Sequence, residues 1–285
     1  MANNNFLDIS IIIVSKNEQK RIGSCLNALA PYSEYFLGGI WVVDSQSKDG
    51  TQLIAAQKGA TVIDYIWNGR YPKKRQWCLE YLELKSEWVL FVDVDEHITE
   101  ALVDELKALD LNSEAVAGYF IKGQYEWHGK VLKYGLQNNK IALLHKRRMK
   151  FPVVQDLGLA GMGEIEGHYQ PVLADGYEHC KIGQLHMSML HKIDKGWTAR
   201  HRRYAIWEAG MNKAKVWPKD PIGSRNKVKN LFRSLSFLRP FAAFLHSYIY
   251  KLGFIDGSAG FDFALSRLRY YQMISDASKD LDSIA

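Results

Sequence analysis

The run Ile9–Val14 is apolar and β-branched almost throughout, which is the mark of a strand buried on both faces. The next twenty residues supply the helix to cover it. Ile22, Cys25, Leu26 and Leu29 fall at i, i+3, i+4 and i+7, one stripe of an amphipathic helix that stops near Pro31. Ile40–Val43 reads as a second strand, leading into the turn Asp44-Ser-Gln-Ser-Lys-Asp-Gly. Asp49 or Thr51 then starts a helix to about Lys58, and Gly59 closes it. Ala60–Ile63 is a short third strand, and a helix from about Lys73 to Lys85 leads to a fourth, Trp88–Val92. Strand–helix alternation with short connections predicts an α/β fold: a mostly parallel sheet with helices on both sides.

After Glu96 the rhythm changes. Thr99–Leu109 is predicted helical, with Leu102, Leu106 and Leu109 as its buried stripe. Residues 117–172 are Gly-rich and aromatic, with short strand candidates at 118–122 and 140–145. From Trp197 the chain is helical again; Val228, Leu231, Phe232, Leu235 and Leu238 form an apolar stripe, and Pro240 breaks or kinks that helix. The expected organisation is therefore one domain over 1–195, in halves 1–96 and 97–195, and a basic helical extension over 196–285. Charge supports that division. The net +6 comes from 37 Lys+Arg against 31 Asp+Glu, yet Lys195–Lys251 alone holds thirteen basic residues and two acids, Glu208 and Asp220. Such a basic stretch attracts phosphate on nucleic acid, lipid headgroups or substrates.

Hydrophobic and charged fractions of 47% and 24% exclude a disordered chain. Cys25, Cys78 and Cys180 are far apart, so no disulfide framework is expected. The N-terminus shows no apolar run of signal-peptide type. Phe241–Ile255, the longest apolar stretch, is interrupted by His246 and Lys251 and is shorter than the roughly 20 residues that span a bilayer. A cytoplasmic chain resting on a membrane surface is the expected class.

Asp44 and Asp93 each follow an apolar strand, at the sheet edge where ligands bind in open α/β folds. In Asp93-Val94-Asp95 an extended backbone would aim both carboxylates the same way, suiting one Mg²⁺ or Mn²⁺ that neutralises a departing diphosphate. The competing structural explanation is that these acids merely precede the helix at Thr99. Arg70, Lys73, Lys74 and Arg75, between the third and fourth strands, suit a phosphate group, although a solvated helix start explains at least two of them equally well.

Four blocks together resemble the family 2 glycosyltransferases of GT-A fold: Ile9-Ser-Ile-Ile-Ile-Val-Ser-Lys-Asn-Glu, Val42-Val-Asp-Ser-Gln-Ser-Lys-Asp-Gly-Thr, Lys74-Arg-Gln, and Trp88-Val-Leu-Phe-Val-Asp-Val-Asp-Glu. Val14-Ser15 stands where Pro-x-Tyr is frequent, and Gln76 where Asn often follows the Arg. The resemblance implies that Ser15, Asn17, Glu18 and Asp44 hold the nucleotide base, and that Asp93 and Asp95 hold ribose, metal and diphosphate. It implies inverting transfer with one carboxylate base, drawn from the second half of the domain. In Gly163-Glu-Ile-Glu-Gly-His-Tyr-Gln-Pro the favoured candidate is Glu166, with Glu164 or Asp156 behind it; exposed loop acids are the alternative. His179, Cys180, His186 and His191 match no common zinc spacing, and the family's own pattern would put His186 and His191 near the diphosphate. A Gln-x-x-Arg-Trp motif and membrane-spanning segments, which mark processive synthases, are not found, so the resemblance implies transfer of a single sugar. It further implies a UDP-sugar donor and, as in bacterial lipopolysaccharide-core and polysaccharide-assembly members, a lipid-linked or envelope-glycan acceptor. Phe254-Ile-Asp-Gly-Ser-Ala-Gly-Phe resembles the ending of that subgroup.

Other classes fit less well. A haloacid-dehalogenase-like phosphatase carries Thr or Val four residues after its first Asp, where His97 stands here. A sugar nucleotidyltransferase shares much of the architecture but has a Gly-rich basic loop after its first strand, unlike Ser15-Lys-Asn-Glu. A non-enzymatic binding module would use the basic segment with Trp197, Tyr204, Trp207 and Trp217 stacking on bases. Basic residues beside an apolar stripe fit an anionic membrane better than nucleic acid, and no nucleic-acid partner is expected. A brace packed on the catalytic body is the plainer alternative.

Overall fold

The computed structural model describes residues 6–154, 157–159, 163–164, 166–167, 169–194, 196–218, 220–234 and 237–283. Its contacts group into two compact units. The first comprises Met1–Gly123, Asn138–Phe151 and Pro171–Lys192; the second comprises Gln124–Gln137, Pro152–Gln170 and Ile193–Ala285. Residues 124–137 and 152–170 thus group with the C-terminal part, unlike the single division expected at 195.

In the first unit the predicted alternation is present. β1 (Ile9–Ser15) is buried at every position except Val14, which is half-buried. α1 (Gln19–Leu29) packs Ile22, Cys25, Leu26 and Leu29 into the same core as β1. β2 (Ile40–Asp44), α2 (Thr51–Gln57), β3 (Thr61–Asp64), α3 (Lys74–Tyr81) and β4 (Trp88–Phe91) follow in order. α3 ends four residues before the expected Lys85, because Leu82 turns extended and Leu84 is buried outside the helix. Tertiary burial overrides helix propensity here. β1 pairs in parallel with β2 and β4, and β2 with β3. That register sets Ser15 beside Asp44, and Asp44 beside Asp64, so the strands end together along one edge.

β5 (Glu96–His97) and α4 (Glu100–Lys107) come next, the helix capped by Thr99, whose hydroxyl accepts from the Leu102 amide. β6 (Val116–Trp127), β7 (Lys130–Val131), β8 (Asn138–His145), β9 (Met149–Lys150), β10 (Val172–Leu173) and β11 (Lys181–Lys192) complete the strands. The sheet order is β3-β2-β1-β4-β8-β6-β11-β5. Beyond β4 the sheet turns antiparallel, in the pairs β4 with β8, β8 with β6, and β11 with β5. The expected α/β fold is present, its parallel part built by the first hundred residues. The antiparallel part is more extensive than the two short candidates at 118–122 and 140–145. The sequence pattern does not announce β11: in Lys-Ile-Gly-Gln-Leu-His-Met-Ser-Met-Leu-His-Lys only Leu185 and Met189 are buried, too sparse for an alternating pattern.

The second unit has its own core of Trp127, Leu132, Trp197, Ala205, Ala209, Phe263, Tyr270 and Ile274. α5 (Trp197–Ala214) and α7 (Arg239–Leu245) both pack on α8 (Ser258–Ser283), with α6 (Gly223–Ser234) between them in sequence. Pro240 sits in the first turn of α7, where its missing N–H costs nothing. Phe241–Ile255 is divided among α7, a π-helical turn (His246–Tyr250) and a 3₁₀ turn (Gly253–Asp256). Among the described residues no helix is long and apolar enough to cross a membrane. Aromatic side chains of the basic segment are used internally: Trp197 meets Trp127 edge-on at 5.8 Å, and Trp207 meets Trp217 at 5.2 Å. Leu235, part of the expected stripe, lies outside the described residues.

Candidate active site

The carboxyl ends of β1, β2 and β4 bring the first-unit candidates to one sheet edge. Asp44 is fully buried there. Its Oδ2 accepts from Ser15 Oγ (2.7 Å) and Ser47 Oγ (2.6 Å), and its Oδ1 from the Ser47 amide (2.7 Å) and Gln52 Nε2 (2.9 Å). Burial disfavours the charge, but these donors outweigh it and hold the carboxyl below its usual range. Four donors match the lone-pair capacity of a carboxylate, so Asp44 organises the loop after β2. Asn17, in the left-handed region at φ 55°, laces the neighbouring loop to it: its amide donates to Ser47 Oγ and its Oδ1 accepts from the Lys48 amide. The Glu18 amide donates to Thr51 Oγ1 in the same way. An exposed carboxylate at this edge is Asp64, which shares Gln52 with Asp44 and was not singled out in the sequence.

The segment Asp93–Glu96 corrects one expectation. It is a tight turn, closed by the Glu96 amide donating to the Asp93 carbonyl at 2.8 Å, rather than an extended stretch. Val94 is buried, and the two aspartates face different partners. Asp93 takes Arg75 at 2.7 Å and Lys140 at 2.5 Å. Lys140 also reaches Glu96, whose side chain is 1% exposed, at 2.6 Å. Asp95 takes Arg21 Nη1 at 3.2 Å, and Arg21 also holds Glu18. His191 lies across from these acids, Nε2 at 3.8 Å from Asp95 Oδ2 and Nδ1 at 3.6 Å from Glu96 Oε1. Burial works against the charges of Asp93 and Glu96, yet Lys140 and its neighbours keep both carboxyls below the ordinary value. Burial likewise opposes a charged His191, but Asp95 and Glu96 prevail and raise its pKa. Cys25, with its Sγ toward the Asp93 carbonyl, is pushed up by burial and by the three acids, so it stays a neutral thiol.

Among the described residues no three His, Cys, Asp or Glu side chains converge to cage a metal on their own. Two do come within bridging distance. Ligands of one ion, each about 2.1 Å from it, lie roughly 3–4 Å apart, which fits Asp95 Oδ2 and His191 Nε2. Glu96 beside His191 Nδ1 supplies the carboxylate that commonly orients a ligating imidazole. Mg²⁺ and Mn²⁺ sites in phosphate-handling proteins characteristically take few protein ligands and leave the rest to phosphate and water. The donor set therefore fits such an ion, with His191 rather than Asp93 beside Asp95.

The other sequence candidates are distributed as follows. Lys74 is buried, donating its ammonium to the Ser15 carbonyl at 2.9 Å. Lys73 is buried next to Trp67, its ammonium 5.9 Å from the ring centre. The Arg70 side chain is exposed in the loop after β3, where its carbonyl accepts from Trp67 Nε1. Glu166 and Glu164 belong to the second unit: Glu166 is 1% exposed and Glu164 is half-buried in a turn, and Ile165 between them lies outside the described residues. Asp156 lies outside the described residues. His186 is exposed on β11, and the Cys180 thiol is 3.6 Å from His179 Nε2. Sequence reasoning alone misses Arg21, Lys140 and Glu96. Only Arg21 had a local signal, standing three residues after Glu18.

The chain is similar to known proteins in sequence and in fold. An uncharacterised glycosyltransferase of Rickettsia bellii (strain RML369-C) is 32% identical over 116 residues, 40% of this chain and 37% of that protein. The lipopolysaccharide core biosynthesis glycosyltransferase LpsC of Rhizobium meliloti (strain 1021) is 30% identical over 125 residues, 40% of this chain and 41% of LpsC. The chain thus spans about two fifths of the length of these relatives. In fold it is similar to the mannosyltransferase PcManGT of Pyrobaculum calidifontis, solved with GDP-Man and Mn²⁺, at TM-score 0.53 and 14% identity over 96% of this chain and 87% of the other. The model of the family described as "Glycosyl transferase family 2" matches residues 10–161, from the first buried strand through the Asp93–Glu96 turn and the Lys140 strand, and the chain belongs to that family.

Proposed function

We propose that this glycosyltransferase moves one sugar from a nucleotide-sugar, UDP-linked in the first instance, to a lipid-linked or envelope-glycan acceptor, with inversion and with Mg²⁺ or Mn²⁺. The observation that carries the reading is the pairing of Asp95 with His191 beside the Arg75–Asp93–Lys140 cluster, at the edge where three parallel strands end. Asp95 and His191 would hold the ion, which when bound supplies positive charge to the diphosphate oxygens. Ser15, Asn17 and Asp44 shape the loops around the nucleotide, and exposed Asp64 offers an acceptor for a donor group on the base. Arg75 and Arg21, each tethered to an aspartate at this edge, add cationic N–H donors for phosphate. Resemblance to LpsC over part of its length supports the acceptor class.

In the transfer, an acceptor hydroxyl forms a bond to the anomeric carbon while the bond from that carbon to the diphosphate oxygen breaks. The electron pair leaves with the nucleoside diphosphate, and the hydroxyl proton passes to a carboxylate. Glu166 is assigned that role, with Glu164 as the alternative. Glu166→Gln is expected to lower transfer by about 10²–10⁴-fold, the usual worth of a general base, with the donor Kd within a few-fold of wild type. Equal melting temperatures for the two proteins would show that the buried site tolerates the amide. Transfer near the wild-type rate would remove Glu166 from the role.

A further inference from the structure

The second unit carries an apolar surface that its own core leaves uncovered. Phe241, Leu245 and Ile249 recur at every fourth residue through α7 and the π-helical turn, and all are between 52% and 60% exposed, with Phe237, 69% exposed, in the turn just before the helix. Four-residue spacing keeps them on one helix face. Aromatic contacts extend the patch sideways: the Tyr248 ring lies 6.3 Å from Phe254 and 5.5 Å from Phe261, both of which are themselves largely exposed. A patch of this kind on an otherwise ordinary surface marks an interaction site.

The charge of the segment that carries it points to the partner. Over residues 196–261 the acids are Glu208, Asp220 and Asp256, and every one is buried. Glu208 holds Arg239 at 2.6 Å and accepts from the Tyr270 hydroxyl. Asp220 holds Lys229 at 2.5 Å, and Asp256 accepts from the Tyr134 amide at 2.8 Å. The surface of residues 196–261 therefore presents cations without carboxylates, and the next acid, Asp262, is half-exposed but already meets Trp127 Nε1 and His128 Nε2. Lys251 is exposed beside Tyr250, and on α6 exposed Lys227 stands next to the exposed Val228 and Leu231.

We infer that the α7 face with the following turns is a docking surface for an anionic lipid bilayer, into whose interface Phe241, Leu245 and Ile249 insert while the lysines meet headgroup phosphates. Helices that lie in a bilayer interface combine these features, and here no spanning segment is required. A symmetric contact with a second copy would set like charges against each other. The inference is separate from the transferase reading, since binding to vesicles is measured without donor or acceptor.

The test is flotation of the full chain with phosphatidylcholine vesicles, with and without phosphatidylglycerol, at low and high salt. Binding is expected only to the anionic vesicles, and it weakens as salt screens the lysines. Phe241→Ser with Ile249→Ser, both exposed and so dispensable for folding, is expected to weaken binding about a hundredfold. Lys227→Glu with Lys251→Glu is expected to abolish the preference for phosphatidylglycerol. Three results would each overturn the inference: no flotation, flotation indifferent to both double variants, or a dimer in sedimentation that Phe241→Ser with Ile249→Ser dissociates.

Discussion

Lys140→Met is expected to destabilise the first unit by about 3–5 kcal/mol, the cost of leaving a buried charge without its partner. The reason is geometric. One ammonium bridges two carboxylates, Asp93 and Glu96, and the Glu96 side chain is 1% exposed. Methionine fills the same stem volume, so packing is nearly conserved and the loss reports the charge. In a melting experiment the change corresponds to a fall on the order of 10 °C. A double-mutant cycle separates the pair from its surroundings: Asp93 keeps Arg75, so adding Glu96→Gln removes the carboxylate that depends most on Lys140 and should recover part of the loss. If Lys140→Met melted like wild type, the cluster would be a solvated surface feature and the site geometry argued from it would fail.

Asp95→Asn is expected to reduce transfer by about 10²–10³-fold, the magnitude found when one element that stabilises developing charge is removed. Stability should change little, because the Asp95 side chain keeps 18% of its surface open and Arg21 retains Glu18 as a partner. Weakening a ligand lowers metal affinity, so excess Mn²⁺ should restore part of the activity. His191→Ala should show the same metal-dependent recovery, whereas Lys140→Met should not. A loss unaffected by metal concentration would mean that Asp95 acts only by positioning Arg21.

The two effects rest on residues that differ in how readable they are. Asp44 and Asp93 can be found because each ends an apolar run, and an apolar run of that length has few other uses. The α/β alternation is legible for the same reason, since strand and helix periods differ sharply in Ile9–Leu29 and again in Ile40–Ile63. Lys140 is harder: its partners lie 44 and 47 positions away, and nothing local to Lys-Ile-Ala-Leu-Leu announces a buried ammonium. His191 meets Asp95 because β11 pairs with β5, and β11 has too few buried positions to be recognised as a strand. The Asp93–Glu96 turn shows a different limit. A hydrogen bond from the Glu96 amide to the Asp93 carbonyl decides which way Asp95 points, and a three-residue spacing rule does not contain that information. The basic segment is visible in the sequence as charge beside an apolar stripe, but that its two acids are internal and that Phe241, Leu245 and Ile249 stay uncovered becomes evident only from the fold.

The most direct test of the central claim is the identity of the nucleotide released when the purified chain is incubated with a panel of UDP-, GDP- and other nucleotide-sugars and Mn²⁺ or Mg²⁺. Glycosyl transfer or slow donor hydrolysis leaves a nucleoside diphosphate, and that product, lost on chelation and in Asp95→Asn, is the predicted result. Release of pyrophosphate, or neither turnover nor binding of any nucleotide-sugar with metal present, would contradict it.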